Sequence, residues 1–343
     1  MTAPLRIGIV GGGFGQHVQV PAFRSAGHVA VDAICMSTAA RAQAVAARLA
    51  IPRAFGDWRE LVTDPGIDAV GISVPPALQA EIVIAAAGAG KHVFAEKPLG
   101  TNVVEARHMA EAARSAGIVA GIDFEFREIP AWQRLKALLL DRAVGRLRHV
   151  YLSWRIETLA HRENRPSWKR DAALGGGALN LFGSHALDAI LWLFGGVERL
   201  AGRLFTSPPG TADARVEALL EIRGGAPVSL SIAADAPFGS GHRLEIYGDG
   251  GALVLENRGT DYASGFTLAM GTRGGEMQAV DLPALPASAD GRVEATGAVI
   301  RRFVEAIRTR VPMTPNLEDG LRVQELIDAL READRRETWL SLS

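Results

Sequence analysis

Ile7-Gly8-Ile9-Val10-Gly11-Gly12-Gly13-Phe14-Gly15 decides the fold of this 343-residue chain. Its first half is a short apolar run and its second half a glycine-rich turn. Such a pair reads as a buried strand feeding a helix. Gly11 permits a tight turn, and Gly13 lets the backbone approach a pyrophosphate at the helix start. The third glycine of a G-x-G-x-x-G spacing falls on Gln16, so Gly15 is left to provide close packing.

Outward from this turn the same rhythm runs to about residue 122. Apolar runs predict strands at Leu5–Val10, Val29–Cys35, 68–74, His92–Ala95 and 118–123. Helical patterns lie between them, at 14–26, 39–50, 57–62, 76–87 and 103–116. Asp57 followed by Glu60 is a capping-box-like start for the third of these. Continuous apolar strands alternating with helices predict a parallel sheet covered on both faces. Residues 1–122 therefore read as a doubly wound α/β domain, with ligands expected outside the carboxyl ends of its strands.

The pattern then changes, and residues 123–343 read as an α+β domain with a large, mostly antiparallel sheet. A helix near 130–140 leads into an alternating strand at 147–156, a polar arginine-rich loop and an apolar helix at 177–194. Strand-like segments follow to about residue 282, with Gly248-Asp249-Gly250-Gly251 as a tight turn between two of them. Two amphipathic helices, 293–309 and 317–332, close the chain, the second with Asn316 as its N-cap. One helix layer cannot cover both faces of such a sheet, so a homodimer or homotetramer is expected.

Bulk composition narrows the function. Hydrophobic residues at 48% and charged residues at 22% are ordinary for a soluble globular protein. A formal net charge of −1 supplies no basic excess for phosphate neutralisation, so nucleic acid is not an expected partner. The single cysteine, Cys35, fits a reducing, cytoplasmic setting. The longest apolar stretch, 179–194, is interrupted by Asn180, His185 and Asp188, so no membrane partner is expected. Nor is a metal ligand set expected.

The residues suited to chemistry are few. Glu96-Lys97-Pro98 follows the apolar run Phe94-Ala95, at the predicted carboxyl edge of the sheet. A lysine there can hydrogen-bond a carbonyl or hydroxyl oxygen and assist proton transfer. On spacing alone, a solvated loop charge is the commoner reading. The second strand leaves through Cys35-Met36-Ser37-Thr38, without the acidic residue that would hold the ribose diol of NAD. Ser37, Thr38 and Arg41 suit a 2′-phosphate instead, so NADP is favoured over NAD. His185 lies in an apolar helix, where it is a core residue or a proton-transfer group, and Asp188 shares its face and is expected to orient the ring. Glycines before this helix are expected to let its start approach a ligand. Glu125, Arg127, Asn180, Arg155, Arg162 and Arg165 are candidate substrate contacts.

With Arg127-x-x-Pro130, Trp168-Lys169 and Gly176-Gly177…His185-x-x-Asp188 in the same order, the chain resembles the Gfo/Idh/MocA oxidoreductases over nearly its whole length. That resemblance implies an N-terminal Rossmann domain and a C-terminal sheet domain that supports dimers or tetramers. It implies that Gly11, Gly13, Phe14 and Gly15 line the pyrophosphate and Ser37 the adenosine ribose. Ser73, Pro75 and Pro76 would flank the dinucleotide, Glu96 and Lys97 the nicotinamide side, and Trp168 and Lys169 would also lie near the cofactor. Lys97 and His185 match the residues that usually serve proton transfer. The expected activity is hydride transfer between a nicotinamide and a polyhydroxylated carbonyl or alcohol, such as a sugar, cyclitol or sugar derivative. Two other readings stay open: a non-catalytic dinucleotide-binding regulator, and a sugar-converting enzyme using the dinucleotide transiently. The chain departs from the family pattern at Leu181 (commonly aspartate), Gln79 (commonly histidine) and Glu125 (commonly asparagine).

Overall fold

The computed structural model describes residues 3–208, 210–283 and 290–342. They form two compact units. The residues up to Glu125 join Arg292–Gln324 in the first, and Phe126–Gly291 joins the chain from Glu325 onward in the second. The linear division at 122/123 does not contain this return of residues 292–324, because it depends on packing and not on any local composition shift.

In the first unit, β1 (Leu5–Val10), β2 (Val29–Cys35), β3 (Arg53–Phe55), β4 (Ala69–Ile72), β5 (His92–Ala95) and β6 (Ala120–Ile122) make one parallel Rossmann sheet. Its order is β3-β2-β1-β4-β5-β6, reversing between β1 and β4. Ile7, Ile9, Val70, Ile72, Val93 and Phe94 are wholly buried, as central strands covered on both faces require. The connecting helices are α1 (Val20–Ser25), α2 (Ala39–Leu49), α3 (Trp58–Thr63), α4 (Gln79–Gly88) and α5 (Val103–Ser115).

Thr38, Asp57 and Asn102 cap α2, α3 and α5 through their side-chain oxygens. The helix expected over 14–26 starts instead as a wide π turn, Gly15–Gln19, before α1. Pro21 has no N–H for the carbonyl four residues back, so a regular ladder cannot run through this point. Phe23, Phe94 and Phe303 meet at ring separations of 5.6–6.4 Å. Phe303 therefore completes this core from far along the sequence, together with Val299 and Ile300.

The second unit opens with α6 (Pro130–Leu140), β7 (Leu147–Arg155), α7 (Leu159–Arg162) and α8 (Ser184–Phe194). Strands β8 (Val197–Thr206), β9 (Asp213–Ile222), β10 (Pro227–Ala233), β11 (Gly241–Gly248), β12 (Gly251–Asn257), β13 (Thr267–Thr272), β14 (Gln278–Ala279) and β15 (Leu340–Ser341) complete its sheet. The order is β14-β13-β12-β11-β7-β10-β9-β8-β15, with only β7 and β10 parallel. Val150, Leu152 and Trp154 point inward from β7, while Tyr151 and Arg155 point outward.

Helices α9 (Gly291–Thr309) and α10 (Leu317–Arg336) follow. Asn316 caps α10, accepting from the N–H groups of Glu318 and Asp319 at 3.0 and 3.2 Å. Ala172–Phe194 is long and apolar enough by length and composition to cross a membrane, but 72% of its most apolar window is buried inside the protein. It is also broken into short 3-10, π and α segments, as expected of a core element.

Candidate functional site

The first unit lines up its predicted site residues along the carboxyl edge of the sheet. The N–H groups of Gly11, Ser73, Glu96 and Asp123 donate across the strand exits to Cys35, Val10, Ile72 and Ala95, at 2.8–3.0 Å. Gly11 has φ +128°, and a Cβ there would lie 2.0 Å from the Ser73 carbonyl oxygen, so only glycine fits. Gly15 packs on Ile9, whereas Gly13 faces open space with no atom within 4 Å of a Cβ position. The turn thus leaves a bare backbone at the helix start where the strand order reverses, which fits a dinucleotide pyrophosphate. Gln16 donates to the Gly12 carbonyl and accepts from Arg48 at 2.5 Å, fastening the turn where a third glycine would stand. The Arg292 guanidinium sits 5.7 Å from the Phe14 ring centre.

At the end of β2, Thr38 accepts from the Arg41 N–H, and the Arg41 guanidinium donates to the Ser37 hydroxyl at 3.1 Å. All three side chains are exposed there. Burial, then the Asp57 and Glu60 carboxylates, push the neighbouring Cys35 thiol up to about 11, which makes it inert at neutral pH. After β4 the chain turns through Ser73, Pro75 and Pro76 into α4.

Glu96 and Lys97 follow β5, and the Lys97 backbone N–H donates to Glu96 Oε2 at 3.1 Å. Beside them Asp123 is fully buried and accepts from Thr296 Oγ1 at 3.0 Å. Burial, then the charges of Glu125 and Glu96, hold the Asp123 carboxyl well above the usual carboxylate range. Glu125 is itself 1% exposed. Three adjacent buried carboxyls can share a retained proton.

The second unit builds its candidate site around His185, in the first turn of α8 and 2% exposed. Phe126 stacks on the imidazole at 4.6 Å and 14°, and Trp154 and Tyr262 lie 6.0 and 6.3 Å away. Asp188, the expected orienting carboxylate, lies three residues further along the same helix. It is engaged by Arg127, whose Nε and Nη2 donate to its two oxygens at 3.0 and 2.5 Å. Arg127, an expected substrate contact, is 7% exposed and paired in this way.

Asn180, also an expected substrate contact, is wholly buried, donating to the Gly175 carbonyl and accepting from Arg331, both at 2.9 Å. The glycines before the helix are closely packed. A Cβ at Gly176 would lie 2.4 Å from the Trp168 carbonyl oxygen, and one at Gly177 would lie 2.3 Å from Asp213. Trp168 and Lys169 form a partly exposed 3-10 turn capped by Ser167.

Sequence reasoning did not find the aromatic wall of Phe126, Trp154, Tyr262 and His242. The available signal was the alternation of β7, which sends Trp154 inward. His242 pairs with Trp154 across the β7–β11 ladder and stacks on it at 4.6 Å and 2°. Among the described residues neither of its ring nitrogens has a hydrogen-bond partner, and burial pushes its pKa down to about 3.

Known proteins resemble this arrangement over the whole chain. The family model for the oxidoreductase family with an NAD-binding Rossmann fold matches residues 5–124, and that for the GFO/IDH/MocA C-terminal domain matches residues 132–254. An uncharacterised oxidoreductase of Synechocystis sp. is 32% identical over 98% of this chain and 96% of its own. D-xylose 1-dehydrogenase (NADP+) 2 of Haloferax volcanii is 30% identical over 70% of this chain and 73% of its own. A structure of levoglucosan dehydrogenase in complex with NADH and L-sorbose superposes with a TM-score of 0.90 at 25% identity, covering 100% of both chains. The carboxyl-edge turn, the second sheet and these full-length likenesses have one explanation: the chain belongs to the GFO/IDH/MocA family of NAD-binding oxidoreductases.

Proposed function

We propose that this protein is an NADP-preferring oxidoreductase acting on a polyhydroxylated carbonyl or alcohol, a sugar, cyclitol or sugar derivative. The observation that carries this reading is the single row of Gly11, Ser73 and Glu96 along one sheet edge, with Lys97 next in sequence. When bound, a nicotinamide dinucleotide supplies the two-electron donor or acceptor. Gly13, Phe14, Ser73, Pro75, Pro76, Glu96, Trp168 and Lys169 hold it in this reading. Ser37, Thr38 and Arg41 take the 2′-phosphate, offering two hydroxyls and a cation, and no acidic residue stands in the segment Cys35–Thr38 by which the chain leaves β2. The NADP named for the xylose dehydrogenase supports that preference, and the NADH of the levoglucosan dehydrogenase complex supports NAD as its competitor.

Lys97 donates a hydrogen bond to the reacting substrate oxygen and carries its proton. His185, its ring held flat by Phe126, assists that transfer. Glu125 remains a substrate contact, while Arg127 and Asn180 act by holding the site's shape. Half-exposed Tyr151, Leu219 and Phe205 on the second sheet support a homodimer or homotetramer.

The test is a fluorescence titration with NADPH and NADH, then turnover of levoglucosan and D-xylose by wild type and Lys97→Ala. Tighter NADPH binding is expected, with about 10²–10⁴-fold loss of kcat in the variant and dinucleotide affinity kept. Full turnover by Lys97→Ala would remove the assigned role. Failure to bind either dinucleotide would leave a non-catalytic regulator, and sugar conversion without net dinucleotide consumption would indicate transient use of the cofactor.

A further inference from the structure

Gln79, the first residue of α4, is 1% exposed, and its side chain reaches across to the Lys97 loop. Its Nε2 donates to the Glu96 carbonyl oxygen, and its Oε1 accepts from the Gly100 N–H at 2.7 Å. One planar amide therefore joins the residue before Lys97 to the third residue after it. A primary amide suits this task because it carries a donor and an acceptor in one rigid plane. The far end of the loop is fastened separately: the Thr101 N–H and hydroxyl donate to Glu105 Oε2 at 2.8 and 2.9 Å. Between these ties Leu99 is buried at 1% exposure, while the Lys97 side chain emerges partly exposed. The backbone of residues 96–101 is thus fixed around the Lys97 side chain.

We propose that Gln79 is the positioning residue for Lys97, holding its backbone where the ammonium meets the substrate oxygen. The proposal rests on the reading of Lys97 given above. Gln79 belongs to the element that follows the Pro75-Pro76 turn, so it also ties the two loops after β4 and β5 to each other. A displacement of about 1 Å at a reacting group is enough to lower turnover by about 10²-fold, which a bridge of this kind prevents.

The chain's four lysines, Lys91, Lys97, Lys136 and Lys169, allow a test that needs no substrate. Reductive ¹³C-methylation gives each lysine its own NMR signal, and Lys97→Arg assigns the one that matters. In Gln79→Leu the Lys97 signal is expected to move and broaden while the other three hold. Gln79→His, which keeps one donor and one acceptor, is expected to leave it near its wild-type position. Gln79→Glu keeps only the acceptor for Gly100 and provides the same comparison if the leucine variant does not fold.

With levoglucosan or D-xylose, whichever the wild type turns over, kcat of Gln79→Leu should fall about 10–100-fold. NADPH affinity should change less than about twofold and KM little. An unmoved Lys97 signal, or an unchanged kcat, would overturn the proposal. Turnover of neither sugar by wild type would count against the substrate reading alone, since the spectrum still decides the role of Gln79.

Discussion

His242 has an ordinary place in the sequence and an extreme one in the protein. Its imidazole is stacked on Trp154, wholly buried and held neutral with a pKa of about 3. The folded state resists protonation that the unfolded chain accepts near pH 6.5, so the unfolded state binds more protons between those values. Stability from this group is complete above pH 6.5 and is lost progressively as the pH falls towards 3, by about 1.4 kcal/mol per pH unit. His242→Leu, similar in volume, should flatten the acid limb of a urea-denaturation series between pH 6 and 4. An unchanged slope would show that this histidine is not the group titrating.

The positions of the glycine turn and Lys97 were legible because they depend on local backbone and a strand exit. His242 was not, because its neighbours come from β7, α6 and the Phe126 turn, and no spacing along the chain brings them together.

At the level of elements, the decisive tie is between the 3-10 turn Glu125–Glu128 and α8, made by Arg127 and Asp188. Both residues stand out in the sequence, but it does not pair them: 61 positions separate them, and His185 is Asp188's nearer candidate. Their side chains are 8% and 2% exposed, so breaking the pair leaves an uncompensated charge in the interior. Arg127→Leu should destabilise the second unit by about 3–5 kcal/mol. Arg127→Leu with Asp188→Leu should recover part of that loss, because neither charge then remains. Chemical denaturation of the single and double variants measures this, and equal losses would mean that an unpaired Asp188 adds no penalty of its own. Prediction of the elements themselves succeeded where the periodicity was strong, as in β1, β2 and α10. It missed the π turn at Gly15–Gln19, whose cause is a single proline in the following turn.

For the whole molecule, the important feature is the return of residues 292–324 to the first unit. Val299, Ile300 and Phe303 are wholly buried in its core, each contributing about 1.5–3 kcal/mol by burial. A polypeptide of residues 1–125 contains every strand of the Rossmann sheet and every dinucleotide contact expected in it, yet lacks these three side chains. It should melt without a sharp transition and bind the dye ANS, whereas the same residues joined through a linker to 292–324 should melt cooperatively. A cooperative melt of 1–125 alone would show that the returning helix is dispensable. Motifs located the nucleotide turn, but only three-dimensional packing shows which residues complete the body that carries it.

The raised pKa of Asp123 also has a colloidal consequence. The formal count of −1 at pH 7 treats every carboxyl as ionised. Burial and the neighbouring Glu125 and Glu96 charges favour the protonated form of Asp123, so the native molecule carries less negative charge than that count wherever this proton is held. Long-range repulsion between copies is weaker by that one charge wherever the proton is held, which favours clouding or precipitation there.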